Sequence, residues 1–432
     1  MSQSIAKNKT IINVKLLFIR FNIFLLIFSN FVSLSLQHEL SAAAYLNFVI
    51  PLICASFMIF ITVTALTFRT IKKIYLVALL ITFIFIISIY PFGQFNVASL
   101  RYVRALLSPF VFGILFASLL NDQVIYIITT IKSIILFGFI VSLYGFYQYA
   151  TITKISQFWF YYPLINEGYA QYSFDLFRNG YPRISSVFTS SLEFAFFNLN
   201  LCFLSLSLLT ARIKHHNYDS KSVVLFIYII LFIAAIILST VRSAQIALVV
   251  GVPYLFFVYN SRSRLSVGIT GLLIAVGLPL IIFLYLYFGF THELSAIGRL
   301  AQWHRIFEIL KISPFGVGID RIGPGKEIWF DSLWLNIIGG YGIFGFPLII
   351  LIFYFYKIIL DQSFAPTNFA KRILLRSLLV AYPLFLANAF FQAFFNSTVL
   401  YILCIFCSIA VFKASQSGWR SKPVTCPTFS NQ

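Results

Sequence analysis

Residues 223–260 read "VVLFIYIILFIAAIILSTVRSAQIALVVGVPYLFFVYN". Two apolar runs, 223–240 and 244–260, stand on either side of Arg242 with almost no loop between them. Each approaches the roughly 20 residues a helix needs to cross about 30 Å of hydrocarbon. A β-barrel would show alternating segments of about ten residues instead. The stretch therefore predicts two transmembrane helices joined by a tight turn that holds a guanidinium group. An arginine there either snorkels to the interface or binds an anion.

The pattern extends along the chain. Of its residues, 60% are hydrophobic and 10% charged, far more apolar than the roughly 45–50% of soluble domains. Hydropathy places about twelve spans, near residues 16–36, 42–66, 74–90, 102–120, 125–147, 187–210, 223–240, 244–260, 265–289, 333–356, 378–396 and 399–412. The expected fold is all-α, a polytopic membrane helical bundle forming one domain over residues 1–432. Lys7, Lys9 and Lys15 before the first run resemble the start of a signal peptide. That run exceeds the usual 7 to 15 apolar residues, which favours an uncleaved anchor.

The net charge of +19 would suggest nucleic acid only if the basic residues formed one exposed patch. Their positions follow the spans instead. With the N-terminus inside, the cytoplasmic segments carry eighteen basic residues against Asp122, Asp219 and Asp361. The outer segments carry eleven against nine acids. This is the positive-inside bias, which puts both termini in the cytoplasm and leaves no call for a nucleic-acid partner. Cys54, Cys202, Cys404 and Cys407 fall within spans and Cys426 in the tail. The Cys404-x-x-Cys407 spacing lacks a thioredoxin-like setting, so packing is the expected role.

Two outer connections are long, residues 148–186 and 290–332; loops of that length are usually functional. The first is rich in aromatics, including Trp159, Tyr161 and Tyr162, and ends with Arg178 and Arg183. In the second, Leu300, Trp303, Phe307 and Leu310 recur at helical spacing, and His304, Arg305 and Glu308 point the other way. Such a helix either lies on the membrane with its polar face offered to a headgroup, or simply covers the bundle. Trp303, Trp329 and Trp334 suit either interfacial anchoring or stacking on sugars.

Several signatures are missing. No phosphate loop, D-x-D pair or His/Cys cluster at ligand spacing occurs, which disfavours ATP-driven transport, metal-held nucleotide-sugar chemistry and zinc chemistry. Positive signals lie elsewhere. In "RNGYPRISSVFTSSLEFAF" two arginines precede Ser185, Ser186, Ser190 and Ser191, which suit helix capping, and Glu193, a carboxylate entering a span. Gly339, Gly340, Gly342 and Gly345 suit close helix packing, and Asp331 stands at the mouth of their span.

Taken in order, these segments resemble the O-antigen polymerase and O-antigen ligase superfamily. The matching residues are Arg183 before Ser185 and Ser186; the Ser-x-x-Arg-Ser turn from Ser239 to Ser243; Arg299, Trp303, Pro314, Gly316 and Gly318 in a long loop; and Asp331 opening a Gly-rich span. Arg305 and Gly316 match the polymerases' arginine, ten residues, glycine spacing. Ligases of the family typically carry His-Asn where this chain has Asp331-Ser332, which favours the polymerase branch. The resemblance implies a metal-independent glycosyltransferase without cofactor, in the bacterial inner membrane, using polyprenyl-pyrophosphate-linked oligosaccharides on the periplasmic face. Other partners would be the bilayer, a chain-length regulator and a flippase. It implies catalytic roles for Asp331, Arg242, Arg299, Arg305, Glu193 and His304, and substrate contacts from Arg178, Arg183, Arg321 and Trp303. A ligase of the same superfamily, or a lipid-linked oligosaccharide flippase, are the competing readings.

Overall fold

The structure, a computed structural model, describes residues 13–28, 109–117, 119–120, 123–151, 177–178, 181–188, 190–214, 219–287, 294–318, 321–322, 328, 330–365, 367–390, 392 and 398–411. Helices α1 (residues 13–28) and α2 (109–117) come first. They are followed by α3 (Val124–Thr151), α4 (Ser191–Lys214), α5 (Ser220–Leu238), α6 (Arg242–Asn260), α7 (Arg264–Leu272) and α8 (Leu278–Tyr287). Next are α9 (Leu294–Ile312), α10 (Leu333–Tyr341), α11 (Gly345–Phe364), α12 (Phe369–Ala389) and α13 (Thr398–Val411). The only described strands are β1 (Phe177–Arg178) and β2 (Tyr181–Pro182), an antiparallel pair with Arg178 opposite Tyr181. The all-α membrane architecture expected from composition is therefore present.

Among the described residues six segments are long and apolar enough to cross a membrane: α3, α4, α5, α6, α7 with α8, and α10 with α11. They coincide with the expected spans from 125–147 through 333–356. The spans 42–66 and 74–90, most of loop 148–186, both termini, Trp159, Tyr161, Tyr162, Trp329, Cys54 and Cys426 lie outside the described residues. Spans 16–36 and 102–120 are described only in part, as α1 and α2.

Two boundaries differ from expectation. The span placed at 378–396 is α12, which starts at Phe369 and stops at Ala389. Asn368 caps it, its side chain accepting from the Lys371 N–H at 2.8 Å. Lys371, Arg372 and Arg376 in its first turns lower the hydropathy and hide its true beginning. Packing overrides that signal: α12 buries every residue except Phe369, Arg372 and Arg376. The span placed at 333–356 is interrupted, since a 3₁₀ turn at Gly342–Phe344 separates α10 from α11.

α4 and α12 form the centre, packed against one another and each against α3 and α6, with α5 on α4. Phe194, Phe196, Phe197 and Phe203 of α4 are fully buried. Lipid tails are as apolar as these rings, so close fit rather than escape from water holds such helices together. Gly251 on α6 illustrates the fit: a methyl group there would run into the Phe203 ring and, at 2.7 Å, a Leu384 methyl. Hydrogen bonds add crosslinks. Ser142 Oγ donates to Asn198 Oδ1 at 2.6 Å, and the Tyr254 and Tyr356 hydroxyls lie 3.0 Å apart while both reach the Val267 carbonyl.

α7 does not run straight into α8. Leu273–Gly277 form a π-helical turn between them, one residue more than a regular turn accommodates. Chain direction puts the start of α4, the α5–α6 turn, the end of α8, α9, the start of α10 and the α12–α13 connection at one end of the bundle. At the other end Asp219 caps α5 and pairs with Arg212 at 2.8 Å. Desolvation is the largest single influence and pushes the Asp219 carboxyl up, but Arg212, the Ser222 hydrogen bonds and Lys221 together outweigh it and hold the group below its ordinary range. Arg264 and Asp361 form a second ion pair at that end.

Candidate functional site

The long loop after α8 folds into the expected helix, α9, but with a different buried face. Ile306 is 2% exposed and Phe307 is 60% exposed, so the stripe predicted through Phe307 is corrected to one through Trp303, Ile306 and Leu310. Ile306 joins Ile322, Phe330 and Leu335 in a small core of its own, apart from the main bundle. Trp303, Ile306 and Leu310 recur at the i, i+3, i+7 spacing of one helical face; Phe307 lies a turn-fraction beyond it. His304 and Arg305 point outward: the His304 side chain is 81% exposed and 3.6 Å from Glu308, and Arg305 and Arg321 are exposed.

What fastens α9 to the bundle is a backbone latch. After Ser313 ends the helix, the Val317 N–H donates to the Gly339 carbonyl at 2.9 Å and the Gly318 N–H to the Gly340 carbonyl at 3.2 Å. In return the Ile343 N–H donates to the Pro314 carbonyl at 2.9 Å. Gly316 and Gly342 face one another with φ of 87° and 57°, values that L-residues with side chains resist. A methyl group on Gly316 would come within 2.5 Å of the Gly340 carbonyl oxygen. The Pro-x-Gly-x-Gly motif and the Gly-rich span, read in sequence as separate features, are thus two halves of one contact.

The latch sets the start of α10, where Asp331 and Ser332 lie. Gln302 of α9 accepts from the Asp331 N–H at 2.8 Å and donates to Asp331 Oδ2 at 3.3 Å, so the carboxylate is oriented rather than loose. Ser332 caps α10 and its hydroxyl donates to the Ala389 carbonyl at 3.1 Å. Asn336 Nδ2 closes the turn by donating to the Phe330 and Ser332 carbonyls, each at 2.7 Å.

The α12–α13 connection gathers the remaining elements. The Leu333 N–H donates to the Gln392 carbonyl at 3.1 Å, while Gln392 Nε2 donates to Ser243 Oγ at 2.5 Å. Ser243 follows Arg242, which opens α6 and is exposed. Arg242 sits just past the strained Ser239–Val241 turn, in which Thr240 adopts φ 54° and the Val241 N–H donates to Ser239 Oγ at 3.3 Å. Phe390 stacks on Trp303 at 5.9 Å and meets the edge of Trp334 at the same distance. The Thr398 N–H donates to Glu193 Oε1 at 2.5 Å. Through these bonds the surroundings of Arg242, Asp331, Glu193 and Trp303 meet at one end of the bundle.

Other expected residues fall around this centre. Arg299 is half-buried on α9, and Arg183 is half-buried just before the Ser185–Ser186 turn. Arg178 lies in β1. Ser185 and Ser186 do not cap α4; Ser190 does, accepting from the Glu193 N–H at 3.2 Å. Ser186 instead takes φ 53° and is clamped by Gln148, whose Oε1 accepts its N–H at 2.7 Å and whose Nε2 donates to its carbonyl at 3.0 Å. Cys202, Cys404 and Cys407 are buried free thiols. Among the described residues no group of three His, Cys, Asp or Glu side chains is placed to hold a metal ion.

Gln148, Gln302 and Gln392 were not anticipated as site residues. Gln148 and Gln392 signal themselves only as an amide in an apolar run, as in "NAFFQAFFNST" at 388–398, and Gln302 is one polar residue among the charges of "RLAQWHRIFE" at 299–308. Gln392 is the most telling, 7% exposed, with its Oε1 buried and facing no hydrogen-bond donor among the described residues.

No match to the chain was found among curated proteins or among solved structures. A family model described as O-Antigen ligase matches residues 227–353, from within α5 to within α11. That interval includes the Ser-x-x-Arg-Ser turn, α9, the glycine latch and Asp331. Over this interval the chain, a multi-pass membrane protein, is similar to the O-antigen ligase family.

Proposed function

We propose that the protein is a surface-glycan polymerase that transfers polyprenyl-pyrophosphate-linked oligosaccharide repeats on the periplasmic face of the inner membrane. One observation carries this reading. Gln392 ties the turn bearing Arg242 to the start of α10 beside Asp331, so a cation and an oriented carboxylate share one end of the bundle. The opposite end carries Arg212, Lys214, Arg262, Arg264, Lys371, Arg372 and Arg376. By the positive-inside bias it faces the cytoplasm, as both termini then do.

In the reaction an acceptor sugar hydroxyl attacks the anomeric carbon of the donor. A new glycosidic bond forms, the bond from that carbon to phosphate oxygen breaks, and polyprenyl pyrophosphate leaves with the electron pair. Arg242 and Arg299 stabilise the negative charge gathering on the leaving phosphate, helped by the N-terminus of α6. Asp331, held by Gln302, orients the acceptor hydroxyl and takes its proton. Gln392 Oε1 accepts a hydrogen bond from a sugar hydroxyl beside the Trp303–Phe390 stack. Arg178, Arg183, Arg305, Arg321 and His304 belong to the segments at this end and add positive charge that draws in the anionic lipid; Glu193 holds the first turn of α13. The chemistry uses neither metal nor cofactor, and a flippase and a chain-length regulator act before and beside it.

A ligase moving finished polymer is the second reading, favoured by the description of the matching family model. The test uses purified protein in proteoliposomes supplied with lipid-linked repeats. Release of polyprenyl pyrophosphate with growth of the glycan supports a polymerase; lipid translocation without release overturns an enzyme. In cells, loss of the gene should leave single repeats on the lipid core. Polymer accumulating on the carrier lipid would establish the ligase.

A further inference from the structure

At the basic end of the bundle, α1 and α3 run side by side in the same direction. Phe24 and Phe28 of α1 meet Phe137 of α3, with ring centres 5.7 and 6.3 Å apart. One step nearer the basic end the helices part around a cleft of about 670 Å³, into which Arg20 and Lys132 both project. At 1.5 Å per residue, Arg20 is about 10 Å from the start of α1 and Lys132 about 12 Å from the start of α3. The two cations therefore lie at nearly one depth, well inside apolar helices. Among the described residues no carboxylate pairs with either of them.

Cations within a span are costly and tend to face a cavity or a counter-charge. Snorkelling would free each one singly, yet here both line the same cleft. Thr129, also in the lining, spends its hydroxyl on the Ile125 carbonyl of its own helix at 2.8 Å. The cleft thus has two positive groups at its polar part and Ile128, Leu136 and Phe137 as walls. Its outer rim, Val124 and Ile125, is exposed, as a surface against acyl chains is.

We propose that this cleft binds one anionic phospholipid of the leaflet at the basic end, its phosphate between Arg20 and Lys132 and its acyl chains along the apolar walls. The apolar walls beside the two cations favour a lipid as occupant, since inorganic phosphate would leave them uncovered. The proposal is independent of the glycan chemistry, which belongs to the opposite end.

The test reconstitutes the full chain in nanodiscs of mixed phosphatidylglycerol and phosphatidylcholine and identifies retained lipid by native mass spectrometry. Wild type should keep one tightly held phosphatidylglycerol, enriched roughly tenfold over its share of the disc. The double variant Arg20→Gln, Lys132→Gln should lose that enrichment. Lys132→Glu, which gives Arg20 its own counter-ion, should lose it as well. Wild type retaining the two lipids in bulk proportion overturns the proposal without reference to any variant, so a poorly folding variant cannot shield it. Equal retention by wild type and the double variant also overturns it. If millimolar phosphate raises the melting temperature as much as phosphatidylglycerol does, and the double variant abolishes both effects, the lipid assignment is wrong and the site is one for free phosphate.

Discussion

Glu193 shows how much a single side chain can be asked to do. Its Oε1 accepts the Thr398 N–H at 2.5 Å, inside a buried setting, so removing the acceptor strands a buried donor. Glu193→Ala should cost about 1–3 kcal/mol of stability, read as a lower melting temperature. Glu193→Gln keeps a carbonyl in place and should leave both melting and glycan yield close to wild type; a large loss of yield would instead make Glu193 the base. At Gln392 the expectation is reversed. Gln392→Leu should fold, and should lower the rate of repeat transfer by about tenfold, the worth of one hydrogen bond of about 1.4 kcal/mol. The two residues also differ in legibility. A carboxylate entering a span advertises itself, whereas the partner that makes Gln392 informative, Ser243, is 149 positions away, and no local pattern links them.

Among elements, the latch between Pro314–Gly318 and Gly339–Ile343 decides where α9 sits. Gly316→Ala or Gly342→Ala would combine a left-handed backbone with a clash against backbone atoms, at a cost of about 1–3 kcal/mol each. Hydrogen exchange should show α9 and residues 313–318 opening while the α4–α12 core stays protected. Both glycine groups were visible in the sequence, and each carried a sensible local reading; their mutual contact was not, because backbone pairing leaves no residue pattern across a gap of that length. The start of α12 was hidden for another reason. Lys371 is buried in a helix that hydropathy reads as polar there, and packing against α4 outweighed that signal. The α4–α5 hairpin offers a pH test. Its Asp219 carboxyl is held below the ordinary range, so the contribution is complete above the unfolded value of about 3.9 and fades as pH falls through the lower folded value. Asp219→Asn should reduce melting temperature slightly at neutral pH and make no difference at pH well below that.

For the whole molecule, the reading of Arg242 and Arg299 as holders of the leaving phosphate predicts a rate effect with little change in folding. Alanine at either position should lower polyprenyl pyrophosphate release by about 10²–10³-fold, measured on lipid-linked repeats, with unchanged expression and melting. The helical bundle was legible because apolar runs of spanning length have one structural outcome in lipid. The site was legible only as separate segments, since the α12–α13 connection that joins them is anonymous in sequence.

The π-helical turn at Leu273–Gly277 bears on that assembly. A surplus residue there sets the rotational phase of everything that follows in α8, including Phe283, whose ring edge meets Trp303 at 6.4 Å. Deleting one of the five residues would restore regular winding and swing Phe283 around the axis by about 100°, breaking the aromatic seam that runs on to Phe390. The indole emission of the shortened chain should shift to the red, and the membrane helix would then be mistimed against the outer one like a gear engaged one tooth out.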